Sequence, residues 1–167
     1  MKKIVFFLCF AVIICFLSAC DPGTYVIHQD ELTDVVSIEL IEYKNPSQEH
    51  FTSWVPNHFD DLKPFDIANA TVIEKLQDSR KSEFITSFVE TDILHTYYAY
   101  DSPVDVCIRL NYKNGNFLII WANYKMNSFG GYIGEYSVDG SVLSFWGSFS
   151  ALDYYQDLVN NFFEYNI

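Results

Sequence analysis

The fold of this chain is decided by two neighbouring stretches, VDVCIRLNYKNGNFLIIWANY at residues 104–124 and YIGEYSVDGSVLSFWGSF at residues 132–149. Each joins two runs rich in β-branched and aromatic residues through a dipeptide that favours a tight turn, Asn114-Gly115 or Asp139-Gly140. Such dipeptides are typical of two-residue hairpin loops with positive φ. The two stretches therefore predict consecutive antiparallel hairpins, with strands over residues 104–112, 117–124, 132–138 and 142–149.

A two-residue loop also predicts which side chains share a face of the sheet. It would place Tyr112 opposite Phe117 in the first hairpin, and Gly134 opposite Phe145 in the second, where Tyr136 would pair with Leu143. The face that these pairs define is uniformly apolar, and we expect it to meet helices. The other face is mixed and too apolar to stay bare on a typical monomer. Its members are Asp105, Cys107, Arg109, Asn111, Leu118, Ile120, Tyr124, Ile133, Val142 and Trp146.

The remaining segments complete an α+β fold. Residues 35–43 and 70–76 have strand-like patterns, and residues 93–100 are rich in β-formers. Apolar residues at helical spacing predict helices over about 78–90 and 150–164, the first capped by Asp78-Ser79 and the second beginning at Ser150. The expected architecture is a mainly antiparallel β-sheet with two helices packed on one face. The helical stripes are Phe84, Ile85, Phe88 and Val89, and Leu152, Tyr155, Val159 and Phe162.

Residues 46–68 form the least regular segment, with three prolines and four aromatic side chains. A loop of this length is unusual inside a compact domain, unless it is functional or folds over something. Either it wraps the mixed face of the sheet, or that face is a platform for a ligand or partner. We favour wrapping, because the aromatic rings of the segment need a place to be buried. The candidate contact residues under both hypotheses are Trp54, Tyr124, Ile133 and Trp146.

The N-terminus has the layout of a secretory signal. Two lysines precede an apolar run at residues 4–16 that is too short for a comfortable membrane span, and small residues follow. Leu17-Ser18-Ala19-Cys20 resembles the lipobox of bacterial lipoproteins. The resemblance implies that Cys20 carries a diacylglyceryl group, that cleavage makes Cys20 the new N-terminus, and that the protein faces the extracytoplasmic side of a bacterial cell membrane. The alternatives are a chance cysteine near a signal cleavage site and an uncleaved N-terminal anchor helix.

These patterns predict three parts: a cleaved leader at residues 1–19, a lipidated tether at residues 20–33, and one α+β domain at residues 34–167. An extended tether of this length reaches about 45 Å. The leader holds two of the ten basic residues and none of the 22 acidic ones, so the mature chain has a net charge of −14. Such a charge argues against nucleic acid and against adhesion to anionic lipid. We therefore expect the lipid on Cys20 to supply the contact with the membrane.

Chemistry-bearing motifs are sparse. Cys107 would be the only free thiol after processing, so no intramolecular disulfide is expected, and its place within a strand favours a structural role over a catalytic one. No phosphate loop, metalloprotease motif or nucleophile elbow is present. We therefore expect neither a metal nor a cofactor. The polar residues Glu49, His50, His58, Asp60, Asp61 and His95 match no known ligand spacing and are interpreted as structural or solvated.

The run CIRLNYKNGNFLII at residues 107–120 resembles small uncharacterised lipoproteins of Gram-positive bacteria, a resemblance that implies no known activity. The absence of catalytic motifs and the semi-apolar sheet face favour a non-enzymatic binding or interaction module, which would contact an envelope protein or a small ligand through the mixed sheet face and residues 46–68. The first alternative is an inhibitor or immunity-type lipoprotein acting on an extracellular basic protein. A hydrolase with a pair of carboxylates is a third, less favoured hypothesis.

Overall fold

The structure, a computed structural model, describes residues 24–43, 64–89, 92–94, 106–122, 131–149 and 152–165 of the 167-residue chain. These residues confirm the α+β class: an antiparallel sheet of six strands carries helices on one face. Within the same ranges, no helix is long and apolar enough to cross a bilayer.

The predicted strands over residues 35–43 and 70–76 and the four hairpin strands are present within a few residues of their predicted bounds. The bounds are β1 Thr24–Val26, β2 Val35–Tyr43, β3 Ala70–Lys75, β4 Asp92–Leu94, β5 Val106–Tyr112, β6 Phe117–Ala122, β7 Gly131–Tyr136 and β8 Val142–Phe149, and the helices are α1 Lys81–Val89 and α2 Leu152–Phe162. The large sheet has the order β3-β2-β5-β6-β7-β8, and the short strands β1 and β4 pair separately with each other.

Both helices pack on the same face, as predicted. Phe84 and Phe88 of α1 are fully buried, and the hydroxyl of Tyr155 in α2 donates to the carbonyl oxygen of Val106 at 2.8 Å, which ties α2 to the sheet. We call the cluster on this face the helix-side core. It includes Ile38, Leu40, Ile108, Leu110, Tyr112, Leu118, Ile120, Ile133, Phe84, Phe88, Tyr155, Val159 and Phe162.

The predicted start of α1 is corrected in detail. Asp78–Arg80 form a 3₁₀ turn that leads into the helix, and the residue before this turn is Gln77, whose side chain makes no capping hydrogen bond. Asp78 and Ser79 therefore lie inside the first turn and do not cap it. The predicted cap of α2 at Ser150 lies outside the described residues.

The predicted register of the first hairpin is wrong by one residue. The amide of Tyr112 donates to the carbonyl oxygen of Asn116 at 2.8 Å, so the loop has three residues, 113–115. Within this loop only Gly115 has a positive φ, at 89°. This excludes a two-residue turn in which both central residues have positive φ, and it fits a type I turn closed by a glycine bulge. Leu110 consequently pairs with Leu118, and Ile108 with Ile120.

The second hairpin repeats this loop. The amide of Ser137 donates to the carbonyl oxygen of Ser141, and Gly140 has a φ of 85°. Tyr136 therefore pairs with Val142, not with Leu143 as predicted. A bulge between Glu135 and Tyr136 then moves the register back by one residue, so the predicted pairing of Gly134 with Phe145 is confirmed.

The shifted register redistributes the predicted mixed face. A slip of one residue turns every side chain of a strand to the other face. Leu118, Ile120 and Ile133 lie in the helix-side core, whereas Phe117, Ile119 and Trp121 face the opposite side together with Cys107. The mixed face does not exist as predicted.

The folded part begins earlier than predicted. Thr24–Val26 pair with Asp92–Leu94, and the next residues run into the helix-side core, where Ile27 is 2% and Leu32 1% exposed. The predicted polar tether over residues 20–33 is therefore too long, because residues 24–32 contain a paired strand and a 3₁₀ turn that bury Ile27 and Leu32. The predicted leader at 1–19, Cys20 and residues 46–63 lie outside the described ranges.

Candidate functional site

The sheet face opposite the helices carries its own hydrophobic cluster, which we call the aromatic core. Phe65 lies at its centre, 3% exposed, with its ring centroid 4.8 Å from that of Tyr43 and 5.7 Å from that of Trp121. The Phe65 amide donates to the carbonyl oxygen of Gly140 at 2.8 Å. The described end of the segment 46–68 thus folds over this face, as the wrapping hypothesis expects. The members are Ile41, Tyr43, Phe65, Cys107, Phe117, Ile119, Trp121 and Tyr136.

The polar atoms of the aromatic core are held in their neutral forms. Burial raises the pKa of Cys107 well above its ordinary value, and it also raises the pKa of Tyr136. A buried thiol with a raised pKa is a poor nucleophile. The geometry therefore supports a structural role for Cys107, which is fully buried.

A polar group lies on the same face, next to the aromatic core. Arg109 donates to Oε2 of Glu39 from both Nε, at 3.1 Å, and a terminal nitrogen, at 2.6 Å. Beside this pair, Nδ2 of Asn111 donates to Oγ of Ser37 at 2.9 Å, and the Arg109 guanidinium lies 5.8 Å from the ring centroid of Phe117. The side chains of Arg109 and Glu39 are only 16% and 14% exposed.

The carboxylate of Glu39 is stabilised in its charged form. Burial acts to raise the pKa of Glu39, but hydrogen bonds from Arg109 and Asn111, and the positive charges of Arg109 and Lys75, outweigh it and lower the pKa. Glu39 and Arg109 face each other on β2 and β5 and neutralise one another. Such an arrangement stabilises strand pairing and leaves little net charge to attract a ligand.

Two of the predicted contact residues fall in the described ranges, and the structure separates their roles. Ile133 is 1% exposed in the helix-side core, so a partner cannot reach it in the folded protein. Trp146 is half-buried against the same core, and its indole nitrogen donates to Oε2 of Glu135 at 3.3 Å. Trp54 and Tyr124, like Cys20, lie outside the described residues.

A cleft of about 240 Å³ lies between the end of β3 and the end of α2. Its polar groups mainly close the helix terminus: Arg80 donates to the carbonyl oxygen of Asn161 at 2.8 Å, and Glu74 accepts the amide of Glu164 at 2.8 Å. The Arg80 guanidinium also stacks on the Phe162 ring, 4.9 Å from its centroid. These contacts fix α2 to the sheet edge.

The most exposed apolar side chain among those described lies at the second hairpin loop. Val138 is 66% exposed, and Ile67, in the segment that covers the aromatic core, is 38% exposed. A Cβ built on Gly115 would lie 3.4 Å from Cγ2 of Val138, and one built on Gly140 would lie 3.6 Å from Cγ1 of Ile67. Both hairpin loops and the segment around Ile67 therefore meet at one end of the sheet. We call Asp66, Ile67, Val138 and Asp139 the hairpin-tip surface.

Local hydrogen bonds hold the hairpin-tip surface in one shape. The Asp66 carboxylate accepts the amide of Ala68 at 3.1 Å, while the Asp66 amide donates to the hydroxyl of Tyr43 at 3.2 Å. The Asp139 carboxylate accepts the hydroxyl of Ser137 and the amide of Ser141, and these bonds lower the pKa of Asp139. Two carboxylates thus flank two exposed apolar side chains on a rigid support.

The sequence contains only faint signals for this surface. Val138 reads as the end of a strand, and Ile67 as part of an irregular segment, so their neighbourhood appears only once both loops are placed. In the ranges that the structure describes, no group of three or more His, Cys, Asp or Glu side chains could hold a metal ion. No family model, curated protein or solved structure matches this chain.

Proposed function

We propose that this chain is a lipoprotein anchored through Cys20 on the extracytoplasmic side of a bacterial membrane, and that it acts as a non-enzymatic binding module. The hairpin-tip surface is the proposed contact site. The observation that carries the second part is the exposure of Val138 and Ile67 next to hydrogen-bonded loop backbone, at a position where neither side chain contributes to a core.

The anchor is supported by the sequence Leu17-Ser18-Ala19-Cys20 and the charged and apolar segments before it. Two acyl chains, at about 0.8 kcal/mol per buried methylene, give durable attachment, whereas one chain binds marginally. The acidity of the remaining chain favours the lipid as the attachment, because an acidic surface is repelled by anionic lipid.

The proposed binding site lies outside the two hydrophobic cores. Because these cores cover both faces of the central strands, we centre the site on Val138 and Ile67 and not on the candidates Ile133 and Trp146. An exposed apolar pair with a polar rim resembles, on a small scale, the anchor residues of protein interfaces. A preorganised surface also binds at a lower entropic cost than a flexible one.

Charge points to a basic partner. Asp66 and Asp139 flank the apolar pair, and the mature chain has an excess of 14 negative charges. The inhibitor or immunity-type alternative shares this feature, and it differs in requiring that the partner lose activity when bound. Association with a basic partner should weaken as salt increases. The carboxylate-based hydrolase is the third and least favoured hypothesis.

The test is a comparison of two variants in envelope extracts. We expect I67S/V138S to lose the proteins that the unmodified lipoprotein retains from detergent-solubilised envelopes, with at least a tenfold loss by quantitative mass spectrometry. V72S/I73S is the matched control, because Val72 and Ile73 are also exposed, at 47% and 40%, but lie on β3, at the opposite edge of the sheet from β8. Equal recovery with all three proteins would refute the hairpin-tip site.

A further inference from the structure

The first described strand begins very near the proposed lipid. Thr24, the first residue of β1, follows Cys20 after only Asp21, Pro22 and Gly23. β1 pairs with β4 in the register Thr24 with Leu94, Tyr25 with Ile93 and Val26 with Asp92. The strand is therefore attached to the folded domain from its first residue.

The residues after β1 hold the N-terminal segment on the folded domain. Ile27 and Leu32 are 2% and 1% exposed in the helix-side core, and the 3₁₀ turn Gln29–Leu32 contacts α1. Exposing these two aliphatic side chains to water would be unfavourable, because their burial contributes to the hydrophobic stabilisation of the core. The N-terminal strand thus belongs to the cooperative fold.

These features fix the reach of the anchor. Four Cα steps separate Cys20 from Thr24, and an extended chain spans at most about 14 Å over that distance. A domain of this size has a radius of gyration of about 15 Å, so its diameter clearly exceeds the reach. A free tether up to residue 33 would instead reach about 45 Å and let the domain move away from the bilayer.

We propose that the β1 side of the domain is held directly against the lipid bilayer surface, with no aqueous gap wide enough for another protein. This inference rests on the proposed lipidation of Cys20. β4 contacts β8, so the side held at the bilayer is the one that carries the β1–β4 pair and the β8 edge. The partner of such a domain lies in the membrane or on its surface, within roughly one domain diameter.

Neutron reflectometry on a supported bilayer measures this distance. The probe is the full lipidated protein in a phosphatidylglycerol–phosphatidylethanolamine bilayer. We expect protein density to begin at the headgroups. A variant with twelve Gly and Ser residues inserted between Gly23 and Thr24 should shift that density outward by roughly 10–20 Å, because a flexible chain of this length has a mean span of about 20 Å.

A water layer of equal thickness under both proteins would overturn the proposal. Hydrogen exchange of residues 24–26 on the same bilayer is the second readout, and we expect protection, because these residues pair with β4. Exchange at the rate of an unfolded chain would also overturn it. If Cys20 carried no lipid, neither protein would form a layer, an outcome that would contradict the proposed anchor and with it this inference, and that differs from a layer with a gap.

Discussion

Glu39 and Arg109 illustrate how single residues stabilise this sheet. Each side chain is more than four-fifths buried, yet the two charges are neutralised by each other and by neighbouring hydrogen bonds. Removing one member of such a pair leaves a charge in a poorly solvated place, which costs far more than the loss of a surface ion pair. Arg80 and Glu83 form a surface pair for comparison, with the Glu83 side chain 63% exposed.

We expect Glu39→Gln to reduce the free energy of unfolding by about 1–3 kcal/mol at pH 7, since Arg109 keeps its charge without a counter-charge. Because the pKa of Glu39 is lowered in the folded state, its contribution is present above the ordinary carboxyl range and is lost as pH falls through the lowered pKa. Urea unfolding at pH 7 and pH 3 measures both effects.

Glu83→Gln is the matched control, and its cost should stay below about 0.5 kcal/mol. A Glu39→Gln cost equally small at pH 7 would show that the ion pair does not stabilise the sheet. The same conclusion would follow if the difference from the unmodified protein were unchanged at pH 3.

The length of the hairpin loops sets the register of the strands, and it separates the parts of the fold that the sequence predicts from those that it does not. Alternation of apolar and polar residues and a high β-branched content predict β2, β3 and the four hairpin strands, and apolar residues at helical spacing predict α1 and α2. Asn114-Gly115 and Asp139-Gly140 marked the turns correctly but not their length, because a glycine with positive φ suits both a two-residue loop and a three-residue loop with a bulge. That single residue moved Phe117, Ile119 and Trp121 to the other face.

The hairpin-tip surface could not be predicted because it depends on a long-range contact. Phe65 and Gly140 are 75 positions apart in the sequence, and no local pattern specifies the hydrogen bond that joins them. The aromatic content of residues 46–68 predicted that the segment would cover a sheet face, and Phe65 confirms this for the described end. The sequence does not predict β1, because a run of three residues forms a strand only when a partner strand, here β4, pairs with it.

The two loop glycines form a matched pair for mutagenesis. Both have φ near +85 to +90°, so alanine is strained at either position by about 1–2 kcal/mol. At Gly140 the new Cβ would also overlap the carbonyl oxygen of Phe65, whereas at Gly115 its nearest neighbour is Val138 at 3.4 Å. We expect Gly140→Ala to cost about 2 kcal/mol more than Gly115→Ala in urea unfolding, since Phe65 must move. Equal costs would show that the Phe65 segment is not seated on this loop.

At the scale of the whole molecule, the domain has two cores on the two faces of one sheet, and its proposed lipid lies four residues before the first strand. The proposed lipid, the early start of the fold and the exposed hairpin tip are consistent with our proposal of a small acidic module at the membrane surface. Both the proposed function and the proposed position at the bilayer require that Cys20 carry a lipid.

Metabolic labelling with radioactive palmitate tests that premise most directly. Expressed in a bacterial host, the unmodified chain should incorporate label and separate with the membrane fraction, because the proposed lipid would be attached to the Cys20 sulfur. C20A should incorporate none and stay unprocessed at this site, while C107A, in which the other mature cysteine is replaced, should be labelled normally. Normal labelling of C20A, or no labelling of the unmodified chain, would contradict the account.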